Sequence, residues 1–211
     1  MEQPMIVVHH LENSRSQRIL WLLEELGQEF SIKHYQRDPQ TMLAPPELRN
    51  VHPLGKSPVI EDGDLVIAET GAIIEYLVNR ADGRLGPPAD LNGVIRYSHF
   101  LHYAEGSLMP PLFALLVVAR IGEAGSPARD ALLGMLKAQF DWLESELADR
   151  AWFAGDQFTA ADVMMSFPIE AGTVRAQATQ GRPNLSDWLE RIHARTPYQR
   201  ALKRGGPYAY A

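Results

Sequence analysis

Apolar and polar positions along the first 80 residues change period several times. Met5-Ile6-Val7-Val8-His9-His10-Leu11 is a short apolar run of the length of a buried strand, and from Arg18 onward Ile19, Leu20, Leu22, Leu23 and Leu26 recur at helical spacing. Asn13-Ser14 stands between them as a helix N-cap signal, and Gly27 lies where a C-cap glycine belongs. Phe30-Ser31-Ile32-Lys33-His34-Tyr35 alternates weakly, which predicts a second strand and a β-α-β unit whose two strands are parallel. Pro45-Pro46-Glu47-Leu48-Arg49 suggests a short helix. Ser57-Pro58-Val59-Ile60 and Leu65-Val66-Ile67-Ala68 flank Glu61-Asp62-Gly63-Asp64, a hairpin signal. Glu69-Thr70-Gly71 opens the next helix, with Ile73, Ile74 and Leu77 as its apolar stripe.

The resulting order, βαβαββα, is that of a thioredoxin-like domain ending near Arg80. Residues 81–90, Ala-Asp-Gly-Arg-Leu-Gly-Pro-Pro-Ala-Asp, are rich in residues that break elements, and strand-like alternation disappears beyond them. The remainder predicts helices at about 92 to 119 interrupted by Pro110-Pro111, about 127 to 148, from about 159, and from Asn184 to about 194. The fold class is therefore α/β plus all-α: a thioredoxin-like N-terminal domain at 1–80, a linker at 81–90, and an all-helical C-terminal domain at 91–211.

Composition narrows the chemistry. The 211 residues include no cysteine, so a protein disulfide, a thiolate metal site and a cysteine nucleophile are all excluded. Any thiol chemistry must use a thiol brought by the ligand. With 45% hydrophobic and 22% charged residues, and no apolar run approaching roughly 18 residues, a protein outside the membrane is expected. Met1-Glu2-Gln3-Pro4 runs directly into Met5-Ile6-Val7 without a basic n-region, which predicts no secretory signal and a cytoplasmic location. The net charge of -6 and the scattered Lys and Arg predict no nucleic-acid partner.

Three loops carry candidate chemistry. In Glu12-Asn13-Ser14-Arg15-Ser16, hydroxyls pass from the C-terminal end of a strand to a helix N-terminus, where ligands of open α/β sheets sit and anions are favoured. Shifting a thiol from a pKa of about 8.5 to about 6.5 takes roughly 2.7 kcal/mol. One charge-assisted hydrogen bond of about 1.5 to 3 kcal/mol plus a dipole contribution of about 0.3 to 1 kcal/mol is the right size, so the serine need not be a base. Ser14 could equally do no more than cap the helix. Ser57-Pro58-Val59 starts a strand with a proline; a cis bond there would let an extended ligand pair with the backbone, and a trans edge proline is the alternative. At Glu69-Thr70 the hydroxyl and first-turn N–H groups can hold a carboxylate while Glu69 pairs with an ammonium, or the two can be a capping pair without a ligand.

Taken together, the three loops resemble those of the cytosolic glutathione transferases. The resemblance is carried by Asn13-Ser14-Arg15-Ser16-Gln17-Arg18, by His52-Pro53-Leu54-Gly55-Lys56-Ser57-Pro58-Val59-Ile60, by Glu69-Thr70-Gly71-Ala72-Ile73-Ile74-Glu75-Tyr76-Leu77, and by Asp156-Gln157-Phe158-Thr159-Ala160-Ala161-Asp162, which is similar to the capping-box motif of the family's sixth helix. The family pattern places the thiolate-stabilising hydroxyl four positions before the helix arginine; with Arg18 as that arginine the position is Ser14, with Ser16 as the fallback. The resemblance implies that Val59, after a cis Pro58, bonds the cysteinyl backbone of glutathione, that Glu69 and Thr70 hold the γ-glutamyl head, and that Lys56 meets the glycine carboxylate, with His52 and Gln40 near that end. A serine in place of the family's tyrosine or cysteine points to the theta-like and bacterial members. Thr70 replaces the commoner serine, and Asn13 is a further candidate for the sulfur because some fungal and bacterial relatives use an Asn there.

The same resemblance implies glutathione as co-substrate, a small hydrophobic electrophile bound near Tyr103, Leu108, Met109 and Phe113, with Tyr208 and Tyr210 as further candidates, and a homodimer. Transfer to an electrophile is the leading reading. The alternatives are glutathione-dependent reduction of peroxides or disulfides, and a non-catalytic carrier or interaction protein. No metal is expected: His99 and His102 have helical spacing but no third ligand. Thr159 and Asp162 form a structural capping box, and Leu132, Met135, Leu136, Phe140, Leu143 and Leu147 form a stripe that reads as core.

Overall fold

The structure, a computed structural model, describes residues 4–211, so Met1-Glu2-Gln3, where the absence of a secretory signal was read, lies outside the described residues. Two compact units are found, one comprising the described chain up to Gly86 with His193–Ala209 and Ala211, the other Pro87–Ile192 with Tyr210.

The first unit is built on strands β1 (Ile6–Leu11), β2 (Phe30–Tyr35), β3 (Val59–Asp62) and β4 (Leu65–Ala68), in the order β2-β1-β3-β4. β1 and β2 are parallel from Ile6 opposite Phe30 to Leu11 opposite Tyr35, and β3 is antiparallel to both β1 and β4. Helix α1 (Ser16–Leu26) supplies the crossover, ends on Gly27 at φ 61, and is buried at nine of its positions because β1, helix α2 (Thr70–Arg80) and the C-terminal helix α8 (Thr196–Gly205) all pack on it. The short helix of the sequence pattern is a single 3-10 turn at Pro46–Asn50. Gly63, at φ 60, opens the two-residue hairpin loop, as a position of positive φ requires.

Two expectations shift here. The cap of α1 is Arg15 rather than Asn13 or Ser14, and the Ser14 hydroxyl instead accepts the Ser16 N–H at 3.2 Å. The tail assigned to the helical domain contributes α8 to the first unit: Trp21 and Tyr198 meet edge to face at 5.1 Å, and Arg195 makes a two-pronged contact with Glu25 at 2.6 and 2.8 Å.

The second unit holds α3 (Leu91–Tyr103), α4 (Met109–Ile121), α5 (Ser126–Glu146), α6 (Ala160–Ala176) and α7 (Pro183–His193). Pro110-Pro111 does not break the helical path. A π turn over Ala104–Leu108, closed by the Met109 N–H on the Ala104 carbonyl, precedes the prolines, which then occupy the first turn of α4 where a missing N–H costs nothing. One 18-residue stretch within Leu91–Glu146 is apolar enough to count, by length and composition alone, as a candidate span, and 33% of it is buried; the sequence pattern had offered no such run. The capping box is formed: Thr159 Oγ accepts the Ala161 N–H at 3.3 Å and Asp162 accepts the Thr159 N–H at 3.0 Å. Asp162 is fully buried, also accepts from the Phe153 N–H and the Trp188 indole, and lies beside a cluster of tilted and edge-to-face rings, Phe100, Phe153 and Trp188.

Candidate functional site

β1 ends at Leu11, and the turn that follows must reverse direction within four residues to start α1; Asn13 takes a positive φ of 49° to do so. The reversal folds two hydroxyls back over the strand end. Ser14 Oγ and Ser16 Oγ are 2.7 Å apart, and Ser16 Oγ is 2.8 Å from Nδ1 of His10. Ser16 is fully buried, whereas Ser14 keeps 6% of its surface.

The loop before β3 closes on the same spot. Ser57 Oγ donates to the His9 carbonyl at 2.8 Å, and the Leu11 N–H is shared between Ser57 Oγ at 3.3 Å and Ser16 Oγ at 3.2 Å. The Ser57-Pro58 peptide is cis. Val59 lies in register with His9 on one side and Ala68 on the other, so no sheet edge is left on it for an added ligand strand; Ser57, outside both ladders, is the position that borders the site.

The third loop reaches the start of α2. Glu69 is exposed, adopts φ 70 and ψ 123, and makes no side-chain capping bond. A non-glycine residue held there costs about 1 to 3 kcal/mol, a strain found where surrounding structure imposes it for a purpose. Thr70 is buried, and its Oγ accepts from Arg18 Nη2 at 3.2 Å, which joins the start of α2 to α1. A guanidinium can only donate, so the Thr70 hydroxyl proton remains available to an anion. The first N–H groups of a helix have no acceptor of their own, and they add to the pull on a carboxylate.

Of the sequence candidates, Ser14, Ser16 and Ser57 form one hydrogen-bonded group through the Leu11 N–H, Pro58 follows Ser57 across the cis peptide, and Thr70 is tied to α1 through Arg18. Lys56 and Gln40 are exposed loop side chains, Gln40 in a turn whose N–H groups bond Asp38 Oδ1, and His52 is half-buried with Nδ1 on the Leu54 N–H. Asn13 Oδ1 accepts the Ala209 N–H at 2.7 Å, which turns that side chain toward the C-terminal segment.

In the second unit, Leu108 and Met109 are core residues, while Phe113 is 56% exposed. Tyr103 donates to Gln139 at 3.0 Å and stacks on His99, and burial pushes its phenol well above the ordinary range. Tyr210 meets the Arg175 guanidinium and the Phe167 ring; Tyr208 is half-buried. His99 is packed among Phe100, Tyr103 and Trp142, and no group of three or more His, Asp or Glu fit to hold a metal occurs among the described residues.

One polar residue escaped the sequence reading. His10 is 2% exposed and hydrogen-bonded into the serine pair, and burial, followed by the neighbouring His34, lowers its pKa to about 4. Its signal was a histidine pair inside an otherwise apolar strand.

Comparison with known proteins gives family matches over most of the chain. The model of the glutathione S-transferase N-terminal domain matches residues 3–79, and that of the glutathione S-transferase C-terminal domain matches residues 99–196. Glutathione S-transferase 1 of Saccharomyces cerevisiae is 34% identical over 94% of this chain and 94% of its own. Glutathione S-transferase 3 of Schizosaccharomyces pombe is 33% identical over 90% of this chain and 84% of its own. The crystal structure of a glutathione S-transferase from Actinobacillus pleuropneumoniae superposes with a TM-score of 0.85 at 35% identity, covering 95% of this chain and 93% of the other.

Proposed function

This chain belongs to the glutathione S-transferase family, and from that premise we propose that Ser14 holds the glutathione thiolate while Thr70 and Glu69 hold the γ-glutamyl head. The protein is a glutathione transferase with glutathione as its co-substrate. What remains to be assigned is which groups do the work and on what electrophile.

The observation that carries the assignment is the shared Leu11 N–H, which brings the Ser14 turn and the Ser57-Pro58 loop together. A tripeptide laid along Ser57 would bring its cysteine to the outer of two hydroxyls. Ser14 retains some surface and Ser16 none, which favours Ser14 as the sulfur ligand. Its hydroxyl donates to the thiolate, and the thiolate attacks a small apolar electrophile. The glycine end is assigned to Lys56, with Gln40 and His52 as weaker contributors.

A domain boundary in the 81–90 linker, a cytoplasmic location and a homodimer complete the proposal. The exposed apolar side chains Leu65 and Val66 on β4 favour a partner copy, and light scattering at the monomer mass would count against it.

The test is calorimetric titration with glutathione, followed by the thiolate absorbance of the complex against pH for wild type and Ser14→Ala. Binding with a thiol pKa well below about 8.5 that rises in the variant is the expected result. An unchanged pKa, with turnover undiminished rather than lowered about 10²-fold, removes Ser14 from the mechanism.

A further inference from the structure

Resting on that reading, we propose that His10 receives the glutathione thiol proton through the hydroxyls of Ser14 and Ser16, which act as a two-member hydrogen-bonded wire. His10 does not touch the tripeptide. It is a positioning residue that sets the direction in which both hydroxyls donate and takes up the proton at the inner end.

The direction follows from the ring's two partners. On the side of α8 the Gly205 backbone accepts a hydrogen bond from the imidazole, and Nε2 is the nitrogen that faces it, 3.4 Å from where a Cβ on Gly205 would lie. A carbonyl can only accept, so Nε2 carries the proton and Nδ1 a lone pair. The Ser16 hydroxyl has two acceptors in reach, Nδ1 at 2.8 Å and the Leu11 carbonyl at 3.3 Å, and its one proton goes to the nearer, Nδ1. Ser16 Oγ is left as an acceptor for the Leu11 N–H and for the Ser14 hydroxyl at 2.7 Å. Both hydroxyl protons therefore point inward, and the Ser14 oxygen is free to accept a proton from outside while it is held by the Ser16 N–H at 3.2 Å.

One concerted shift converts this arrangement into its reverse. The S–H bond breaks and its proton bonds to Ser14 Oγ, the Ser14 proton passes to Ser16 Oγ, and the Ser16 proton passes to Nδ1. Net, one proton leaves sulfur and one arrives on His10, and no other reactant is required. Afterwards the thiolate accepts from Ser14, Ser14 from Ser16, and Ser16 from Nδ1–H, while Nε2–H stays on Gly205. Every oxygen and nitrogen has a partner in both states, the condition under which a buried polar chain is stable.

A serine hydroxyl alone has nowhere to send the proton, and the buried ring supplies the place. In the free protein the imidazole is kept neutral, and so receptive, by burial and by His34 on β2. The other charged group acting on it is Glu12 at the end of β1, which favours the protonated ring; from α1 it faces Ser16 and from α8 the Gly205 backbone, both uncharged. A thiolate two hydroxyls away supplies a further counter-charge.

The test uses the full chain with isotopically labelled histidine. The His10 ring, assigned with His10→Gln, is titrated by NMR in the free protein, with saturating glutathione, and with S-methylglutathione, which fills the site but has no thiol proton. Glutathione is expected to raise the His10 pKa by about three units, roughly a thousandfold change in proton affinity that brings the ring into the neutral range where it can hold the thiol proton, and S-methylglutathione to leave it unmoved. Ser16→Ala cuts the wire from inside and Ser14→Ala from outside, and either is expected to abolish the rise with glutathione still bound by calorimetry. Equal responses to the two ligands, or an unmoved His10 in the saturated glutathione complex, overturn the proposal. Absence of any heat of glutathione binding defeats the transferase assignment as well, a result distinct from binding with a silent His10.

Discussion

Arg18 Nη2 donates to Thr70 Oγ across 3.2 Å, with both residues at most 3% exposed, so a buried guanidinium stands behind the hydroxyl that opens α2. The arginine occupies one acceptor position of Thr70 and, being a donor only, leaves the hydroxyl proton to the anionic head group proposed for this site. Thr70→Val removes a hydrogen bond to a charged group, of about 1.5 to 3 kcal/mol, and is expected to raise the KM for glutathione by about 10- to 100-fold with a smaller change in kcat. Thr70→Ser keeps the hydroxyl and should stay near wild type. Steady-state kinetics at varied glutathione separates the two, and equal behaviour of the valine and serine variants would remove the hydroxyl from binding.

Asp162 supports the second unit in a different way. Its oxygens accept from the backbone N–H groups of Phe153 and Thr159 at 3.0 Å, from the Thr159 hydroxyl at 3.3 Å and from the Trp188 indole at 3.1 Å. Asp162→Asn turns an amide NH₂ toward one pair of these donors, leaving buried groups unsatisfied at about 1 to 3 kcal/mol each. A loss of roughly 3 kcal/mol in urea unfolding is expected, and a loss below about 1 kcal/mol would show that the carboxylate does not anchor the box.

The same contrast between local and distant partners explains what could be read from the chain. The β-α-β unit, the hairpin at Gly63 and the Thr159 capping box depend on residues close in sequence, so their signals survive in the pattern. Helix α8 does not announce itself, because its buried positions, Tyr198, Ala201 and Gly205, include two of the smallest side chains and the rest is polar. Ser14, Ser57 and Thr70 were legible as loop chemistry. The direction in which the serines donate was not, because it depends on His10 meeting Gly205, 195 positions away.

Gly205 is also a packing constraint. A Cβ there would lie 2.5 Å from Gln17 Oε1 and 3.0 Å from Leu20 Cδ1, and both side chains are buried. Gly205→Ala must displace the buried Gln17 amide or push α8 off α1, at a cost of about 1 to 3 kcal/mol. A fall in Tm of roughly 4 to 8 °C is expected for a change near 2 kcal/mol in a chain of this size. An unchanged Tm would mean that the Gln17 amide or α8 yields to the methyl group at no cost.

Acid should weaken the fold through His10. Its pKa is about 4 in the folded protein against an ordinary 6.5, so between those values the unfolded chain binds a proton that the folded chain refuses. Stability contributed by the neutral ring is whole above pH 6.5 and falls as pH drops toward 4, by roughly 2 to 3 kcal/mol between pH 7.5 and 4.5. His9, also lowered by burial, adds to the loss. Asp162 opposes it: burial raises its carboxyl to about 6, so the folded chain binds that proton first as pH falls. The wild-type curve therefore mixes signs, and the comparison that isolates His10 is with His10→Gln, which keeps the other two groups. Urea unfolding of both proteins at pH 7.5 and 4.5 should show the advantage of wild type shrinking by roughly 2 to 3 kcal/mol on acidification. An advantage that grows on acidification would mean that the ring is already protonated when folded, with Nδ1 donating to Ser16, and the two hydroxyls would then point toward the sulfur before any ligand arrives; an advantage that stays constant would mean that folding does not shift the ring's pKa.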